Sequence, residues 1–290
     1  MNGSLNLMAN KTCLITGASR GLGKLLAIFY SKLDFDLILV ASDLVALKSV
    51  SNELQLADGQ KFLLVKSDFS IEGFDIDMFN EISNFCDSID LLINNAAIQG
   101  PIGPFSDLTF KDWERVFKVN FLAPAAICHR AIRHMMNGGG TIINLSGGGG
   151  AGLRPNFSAY GASKAALIRF SETIAAELVH KNINVNTIAP GVMPTDMLQE
   201  VLESPDNVAG PQEKNSAMEA FRVDFDMTDI GDLCLFLSSE KARKITGKLI
   251  SVKWDNWEAW SDNIEALTNS DLYTLRRIVG RDRGISWGDK

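Results

Sequence analysis

Tyr160 and Lys164 stand four residues apart in a segment whose apolar residues Leu167, Phe170, Ile174 and Leu178 recur at helical period. That spacing puts the phenol and the ammonium on one helix face. To take a proton from an alcohol, or to give one to a forming alkoxide, a group must titrate near working pH. A free tyrosine titrates near 10, about three units too high, a gap of about 4 kcal/mol. One ammonium roughly 5 Å away, at an effective dielectric of about 20, supplies about 3 kcal/mol. Lys164 is therefore expected to bring Tyr160 most of the way to neutrality. A solvated helix face presents the same two residues at the same spacing, so the pair has meaning only inside a site.

A second group is a glycine-bearing turn, Thr16-Gly17-Ala18-Ser19-Arg20-Gly21-Leu22-Gly23. It follows an apolar strand-like run and precedes a helix expected to begin near Lys24. Glycines there permit a tight turn and let a pyrophosphate approach the backbone, while the helix N-terminus offers unpaired amides and the positive end of its dipole. A turn that binds nothing can carry the same glycines. The position between first strand and first helix favours the phosphate reading.

The elements that must position these groups follow from apolar patterning. Seven strand-like runs are expected: Thr12–Ile15, Leu37–Val40, Phe62–Val65, Leu91–Ile93, Thr141–Leu145, Ile183–Ile188 and Leu249–Val252. Helix-like segments separate them. Alternation of this kind implies right-handed crossovers and an α/β fold with a doubly wound parallel sheet, Rossmann-like. No linker or repeat divides the chain, so residues 1–252 read as one dinucleotide-binding and catalytic domain. Met197–Asp226 is polar and lacks clean periodicity, and reads as a mobile flap with short helices. Residues 253–290, with Trp254, Trp257 and Trp260 and then an Arg-bearing stretch, read as an irregular C-terminal extension and not an independent domain.

The chain has 290 residues, is 46% hydrophobic and carries a formal charge of -7. That charge argues against nucleic acid or an anionic membrane as the main partner. No stretch is long and apolar enough to span a bilayer, and Met1–Asn10 has neither the basic nor the apolar region of a leader. Cys13, Cys86, Cys128 and Cys234 lie in apolar stretches without metal-ligand spacing. They read as buried reduced thiols of a cytoplasmic protein, and no metal site is expected.

The glycine turn, then Asn94-Asn95-Ala96-Ala97, then Tyr160-Gly161-Ala162-Ser163-Lys164, then Pro190-Gly191 with Thr195, together resemble the short-chain dehydrogenase/reductase family. Order and spacing match its ordinary-length branch, over about Lys11 to Val252. The resemblance implies hydride transfer between a nicotinamide cofactor and a ketone or secondary alcohol. Gly17, Gly21 and Gly23, with Ser19, Arg20 and Leu22 in the same turn, would line the pyrophosphate. Asp68 would contact the adenine, although capping a helix is its other reading. Asn94 and Ala96 lie in the motif behind the cofactor. Pro190, Gly191 and Thr195 approach the nicotinamide carboxamide, and Lys164 would hold the nicotinamide ribose beside Tyr160. Asn120 would hold a water next to Lys164; a buried Asn that satisfies backbone groups is the alternative.

Two points stand apart from the family pattern. The family orients the substrate carbonyl with a serine, an oxyanion role. Counted back from Tyr160 without gaps, that position falls on Gly147, one residue beyond Ser146. The glycines Gly147–Gly150 are expected to let Ser146 take the role, with a backbone amide or Ser158 as alternatives. At the end of the second strand, where an acidic residue would bond a ribose diol and repel a 2′-phosphate, Ala41 and Ser42 stand instead. With Arg20 nearby, this favours NADP, with NAD possible. Gln99, Arg154, Asn156 and Met193 are candidates for the substrate pocket. Arg276, Arg277, Arg281 and Arg283 suit either a solvated helix face or an anionic, sugar-derived substrate. A 3-oxoacyl thioester reductase fits the core motifs equally well. A cofactor-sensing or scaffold protein is the reading of another class. A homodimer or homotetramer is expected.

Overall fold

The computed structural model describes residues 10–223 and 225–285. Residues 1–9 of the leader reading, residue 224 within the flap reading and residues 286–290 at the end of the extension reading lie outside the described residues. All seven expected strands are present: β1 (Lys11–Thr16), β2 (Phe35–Ala41), β3 (Phe62–Lys66), β4 (Leu91–Asn94), β5 (Gly140–Leu145), β6 (Ile183–Ala189) and β7 (Leu249–Ser251). They form one parallel sheet in the order β3-β2-β1-β4-β5-β6-β7. Strands β1, β2 and β4 read as continuous apolar runs because both sheet faces are covered.

The period of two divides their side chains between two cores. Cys13, Ile15, Leu37, Leu39 and Ile93 face α1 (Gly21–Ser31) and α10 (Thr228–Leu237), packing on Leu22, Leu26, Tyr30, Leu233 and Leu237. Leu14, Ile38, Val40, Leu92 and Ile142 face α3 (Phe74–Phe85), α5 (Ala123–Met135) and α6 (Ser158–Leu178). Among the cysteines, Cys13, Cys128 and Cys234 are buried and Cys86 only half-buried.

Strand order reverses between β1 and β4, since β1 pairs with both β2 and β4. In an open parallel sheet this switch point leaves a crevice at the carboxyl ends of the strands. The glycine turn ends β1, Asn95–Gln99 follows β4, Ser146 follows β5 and Pro190 follows β6. Topology therefore gathers the sequence motifs at one edge.

Helix α2 (Leu44–Ser51) buries Leu47 and Val50 in the core of α1 and α10, whereas α4 (Phe110–Phe117) lies beside α6 and continues through a π-helical turn at Lys118–Leu122 into α5. The flap holds α7 (Asp196–Glu203), α8 (Asp206–Ala209) and α9 (Pro211–Ala220). No described helix is long and apolar enough to cross a membrane.

The extension returns to the sheet edge. Trp260 is buried against Tyr273, with ring centres 4.5 Å apart. Leu249 of β7 donates its amide to the Tyr273 carbonyl at 2.7 Å, and Lys248 Nζ donates to the carbonyls of Ser270 and Leu272. Glu172 on α6 accepts from the Leu275 amide and pairs with Arg276. Among the described residues the expected arginine-bearing helix face is absent: a 3-10 helix at Trp257–Asn263 and α11 (Ile264–Thr268) precede the arginines, Arg276 and Arg277 lie outside any helix, and Arg281 and Arg283 sit on a 3-10 turn at Gly280–Arg283. Lacking helical period, the segment instead uses Arg276 to reach Glu172 and Asp271.

Candidate active site

The glycine turn is fixed by backbone geometry. Gly17 has φ +67° and Gly21 φ +52°, a region that side chains disfavour. A Cβ on Gly17 would stand 2.8 Å from the Ala96 Cα, and one on Gly23 only 2.2 Å from the Gly17 carbonyl oxygen. Helix α1 starts at Gly21, three residues earlier than the sequence suggested, because Arg20 rather than Gly23 serves as N-cap. No side chain caps it, so amides of its first turn remain available to an anion. Asn95 braces the turn from β4: its side-chain amide donates to the carbonyls of Thr16 at 2.9 Å and Gly17 at 3.3 Å. The Asn95 and Ala96 amides both donate to Thr16 Oγ1. An uncapped helix end above a turn with no room for a Cβ at Gly17 or Gly23 suits the pyrophosphate of a dinucleotide.

One cavity joins this turn to the catalytic helix. Its wall includes Gly17, Ser19, Arg20, Gly21, Leu22, Ser42, Asp68, Ala96, Ser146, Tyr160, Lys164, Pro190 and Thr195. Gly23, Asn94, Asn120 and Gly191 lie outside the wall. Gly23 packs under the turn. Asn94 is buried between strands, where its amide donates to Asn144 Oδ1 at 2.9 Å and to the Cys128 thiol. Asn144 in turn donates to Ser171 on α6. The motif's cavity-side asparagine is thus Asn95, its neighbour, which the sequence reading passed over although the same four residues contain it.

Asn120 sits on the π-helical turn, fully buried. Its carboxamide clamps Ile98 by accepting from the amide and donating to the carbonyl, both at 2.9 Å, and it also donates to Ser163. These bonds satisfy backbone groups and fix the segment that leads to Gln99 in the cavity wall. Asp68 accepts from the Ser70 amide and hydroxyl, which hold its carboxyl below the usual range while leaving it at the wall. Asp43 does not reach the cavity: it caps α2, accepting from the Val45 and Ala46 amides. Arg20 is exposed and pairs with Asp196 of α7 at 2.7 Å.

Tyr160 and Lys164 lie on the buried face of α6 as their spacing requires. Lys164 Nζ donates to the Leu145 carbonyl at 2.7 Å and stands 5.8 Å from the Tyr160 ring centre. The expected effect of Lys164 on Tyr160 is not dominant. Burial pushes the Tyr160 phenol above its ordinary value, and the charge that opposes this is Arg154. Burial likewise lowers Lys164 to about 8. Loss of water disfavours the charged form of each, so the pair rests as phenol and weakened ammonium.

The serine question is resolved into geometry. A Cβ on Gly147 would meet the Tyr160 hydroxyl at 2.7 Å. The phenol therefore rests in the notch that a side chain at 147 would fill. The Ser146 hydroxyl is buried without a hydrogen-bond partner, and it lies 2.8 Å from where a Gly150 Cβ would be. Ser158 is not in the cavity wall and accepts from Trp113. Of the candidate pocket residues, Gln99 and Met193 line the cavity, whereas Arg154 and Asn156 do not. Met197 and Glu200 line it as well, from the segment that the sequence reads as a flap, and so do Arg115 and Val119, for which the sequence pattern carries no signal because they come from helix faces.

A family model described as short chain dehydrogenase matches residues 11–206, well over half the chain. The chain belongs to the short chain dehydrogenase family. Among its relatives, the 3-oxoacyl-[acyl-carrier-protein] reductase FabG of Aquifex aeolicus is 30% identical across 84% of this chain and 96% of the relative. Carbonyl reductase family member 4 of Xenopus tropicalis is 33% identical across 64% of this chain and 77% of its own. Among solved structures, YwfH, an NADPH-dependent reductase involved in bacilysin biosynthesis, superposes with a TM-score of 0.73 at 27% identity. It is matched over 83% of this chain and 96% of its own. NAD+-bound xylitol dehydrogenase gives 0.74 at 26% identity, over 84% and 98%. This short chain dehydrogenase is an NAD(P)-dependent oxidoreductase that acts on CH–OH and C=O groups.

Proposed function

We propose that this dehydrogenase exchanges a hydride between NADP and a ketone or secondary alcohol, with Tyr160 as the group that exchanges the proton. The observation that carries this reading is one cavity wall containing both the glycine turn and the Tyr160–Lys164 pair. When bound, the nicotinamide accepts or supplies the hydride. The chain's own residues bind, orient and move the proton. Amides of the first turn of α1 would hold the pyrophosphate, Asp68 would meet the adenine, and Pro190 and Thr195 would meet the carboxamide.

Tyr160 gives its phenolic proton to the forming alkoxide in reduction and takes it back in oxidation. In reduction the burial that keeps the phenol protonated is helpful, because the acid arrives loaded. In oxidation Lys164 must supply positive charge, which its proximity provides while it remains protonated. With Gly147 beneath the hydroxyl, the substrate oxygen can approach Tyr160 without a side chain between. We place the oxyanion role on the backbone of the Gly147–Gly150 turn rather than on Ser146, whose hydroxyl faces Gly150.

NADP is favoured because Ala41 and Ser42 end β2 without a carboxylate and Asp43 is engaged in capping α2. Arg20 can turn from Asp196 to a 2′-phosphate at little cost, because a pair exposed on both sides contributes little. Relatives support either nicotinamide: one structural neighbour is described as NADPH-dependent and another as NAD+-bound. Fluorescence titration with NADPH and NADH decides the point, and about tenfold tighter NADPH binding, 1.4 kcal/mol, is expected. A clear NADH preference refutes the NADP assignment. Turnover of a panel that includes simple ketones, sugar-derived ketones and a 3-oxoacyl thioester tests the reaction class. Reduction of the thioester in preference to the others would make this chain a thioester reductase like its Aquifex relative. Tight cofactor binding with no turnover would make it a sensor.

We further propose a homodimer or homotetramer and a cytoplasmic location. An aromatic ladder along α4 and α6 supports association, since Trp113 stacks between Phe110 and Phe117, and Phe121 meets Phe170. Phe105 and Phe110 at its end are exposed.

A further inference from the structure

The flap is fastened to the residues just before the catalytic helix, and it is fastened through one arginine. Arg154 makes a two-pronged ion pair with Glu213 of α9: Nε to Oε1 at 3.0 Å and a terminal guanidinium nitrogen to Oε2 at 2.9 Å. The same guanidinium lies 3.7 Å from the Phe157 ring centre and 5.5 Å from that of Tyr160. Its stem rests on Gly149, where a Cβ would stand 3.4 Å from Arg154 Cδ. Both charged side chains are partly buried, at 16% and 32% exposure, so the pair is shielded more than the surface pairs elsewhere. A planar fork that meets a carboxylate and a ring face at once is geometry that arginine supplies and lysine does not.

Two other contacts join the same places. Asn156, held at φ +68°, donates its side-chain amide to the Val208 carbonyl of α8 at 2.6 Å, and its own carbonyl accepts from the Gly103 amide. Phe157 and Tyr160 share a small core with Val201, Ala209 and Ala217 of the three flap helices. The flap also contributes Met197 and Glu200 to the cavity wall, beside Met193. The substrate end of the cavity is thus closed by helices that pack directly on the proton-exchanging tyrosine.

We infer that Arg154 is a positioning residue, which sets the Tyr160 ring through Phe157 and fastens α9 over the substrate end of the cavity through Glu213. Arg154 touches neither the cofactor turn nor the cavity, so its effect on turnover passes through Tyr160 and the flap. This rests on the proposed reaction for its kinetic part only. Its cationic head is also the charge that draws the buried phenol back down. The charged and titratable groups around Tyr160 are Lys164 on α6, Arg154 on the preceding turn and Glu213 on α9 beyond it.

The test compares the wild-type chain with Arg154→Met, Glu213→Gln and the charge-reversed double variant Arg154→Glu with Glu213→Arg. Amide hydrogen exchange over residues 206–217, without substrate, reads the fastening whether or not the chain turns over. Both single variants should exchange about tenfold faster there, the effect of losing a charge-assisted bond. With a substrate from the panel, Arg154→Met should lower kcat about tenfold, because the ring loses its brace as well as the flap. Glu213→Gln leaves Arg154 on Phe157 and should raise KM while kcat stays within about twofold. The double variant should recover slow exchange and wild-type KM but not kcat, since the cation no longer lies on Phe157. NADPH affinity should be unchanged in all. Unchanged exchange in both single variants overturns the fastening, and wild-type kcat in Arg154→Met overturns the positioning of Tyr160. A wild-type chain that turns over nothing refutes the proposed reaction instead, and the exchange result then decides the fastening alone.

Discussion

The two ends of the cavity are held in different ways. At the cofactor end the parts are backbone: glycines at positive φ, an uncapped helix start, and Asn95 bonded to the carbonyls it adjoins across one strand pair. At the substrate end the parts are side chains brought together from afar. Arg154 meets Glu213, Asn156 meets Val208, and Phe157 and Tyr160 pack on α7, α8 and α9. A backbone site tolerates almost no added atom but asks little of its neighbours' identity. A side-chain site is adjustable, which is where a family that shares one cofactor can change its substrate.

The sharpest way to break this comparison is to remove one oxygen at the substrate end. Tyr160→Phe should lower turnover on the order of a thousandfold, within the usual range for losing a general acid. Fold and cofactor affinity should survive, because the phenol makes no hydrogen bond that holds the cavity together. Steady-state rates with matched NADPH titrations check both halves. Retained turnover would remove Tyr160 from the chemistry.

The converse change belongs at the cofactor end. In Gly23→Ala the new methyl would lie 2.2 Å from the Gly17 carbonyl oxygen and 2.5 Å from Asn95 Nδ2. Neither can yield without opening the turn. NADPH affinity should fall by about a hundredfold or more, with thermal stability also reduced, since overpacking typically costs about 1–3 kcal/mol. Equilibrium titration and a melting curve read the two effects. Near-normal affinity would mean that the turn is more pliable than its contacts imply.

These outcomes bear on what the sequence made legible. The seven strands were readable because buried parallel strands are continuous apolar runs, as Leu37–Val40 and Leu91–Ile93 show. The glycine turn and the Tyr160–Lys164 pair were readable because each is a local pattern at fixed spacing. The start of α1 was misplaced because Arg20 caps it by backbone geometry alone, without a capping side chain. Asn94 and Asn95 could not be told apart by spacing; only the pleat decides which one points between the strands. Arg154 was suggested for the pocket, yet its partner Glu213 lies 59 positions away and no local pattern links them. The docking of the C-terminal extension has no sequence signal for the same reason, since it meets Lys248, Leu249 and Glu172 through its own backbone carbonyls and amides, which any residue possesses.

Lys164 offers a subtler comparison, between function and stability at one residue. Burial lowers its folded-state value to about 8 from the ordinary 10.5. Between those two values the unfolded chain binds more protons than the folded one, so this group makes stability rise with pH across that window. Below about pH 8 the folded protein must keep an ammonium buried, a cost that is relieved as the proton leaves. Tyr160 acts in the opposite sense above its ordinary value of 10, where the folded state retains a proton that the unfolded state has lost. Lys164→Met should therefore flatten the rise in stability between pH 8 and pH 10 in the cofactor-free protein while weakening NADPH binding. Urea melts at several pH values measure the first effect. An unchanged pH slope would show that Lys164 is not buried as a cation.

The smallest expected effect is also the one on which the comparison turns. If the substrate end worked as the family pattern implies, a serine hydroxyl would stabilise the reacting oxygen, and losing an oxyanion donor costs about a hundredfold or more. In this chain the register places Gly147 under the Tyr160 hydroxyl, and the Ser146 hydroxyl is turned to Gly150 without a partner. A buried hydroxyl with no partner stabilises nothing, so removing it to leave a methyl side chain should leave stability equal or slightly raised. Ser146→Ala is accordingly expected to keep turnover within about threefold of wild type, far below the oxyanion-donor loss. Gly147→Ser is the complementary variant. Its Cβ would lie 2.7 Å from the Tyr160 oxygen, so the phenol must shift before the added hydroxyl can serve. Steady-state kinetics of the two variants, at saturating NADPH, separate the possibilities. A hundredfold loss in Ser146→Ala would mean that the hydroxyl swings into the cavity when ligands bind, and the substrate end would then be built from a mobile side chain. Retained activity would assign the reacting oxygen to the backbone of the Gly147–Gly150 turn, and both ends of the cavity would then rely on glycine-rich main chain at the point of closest approach.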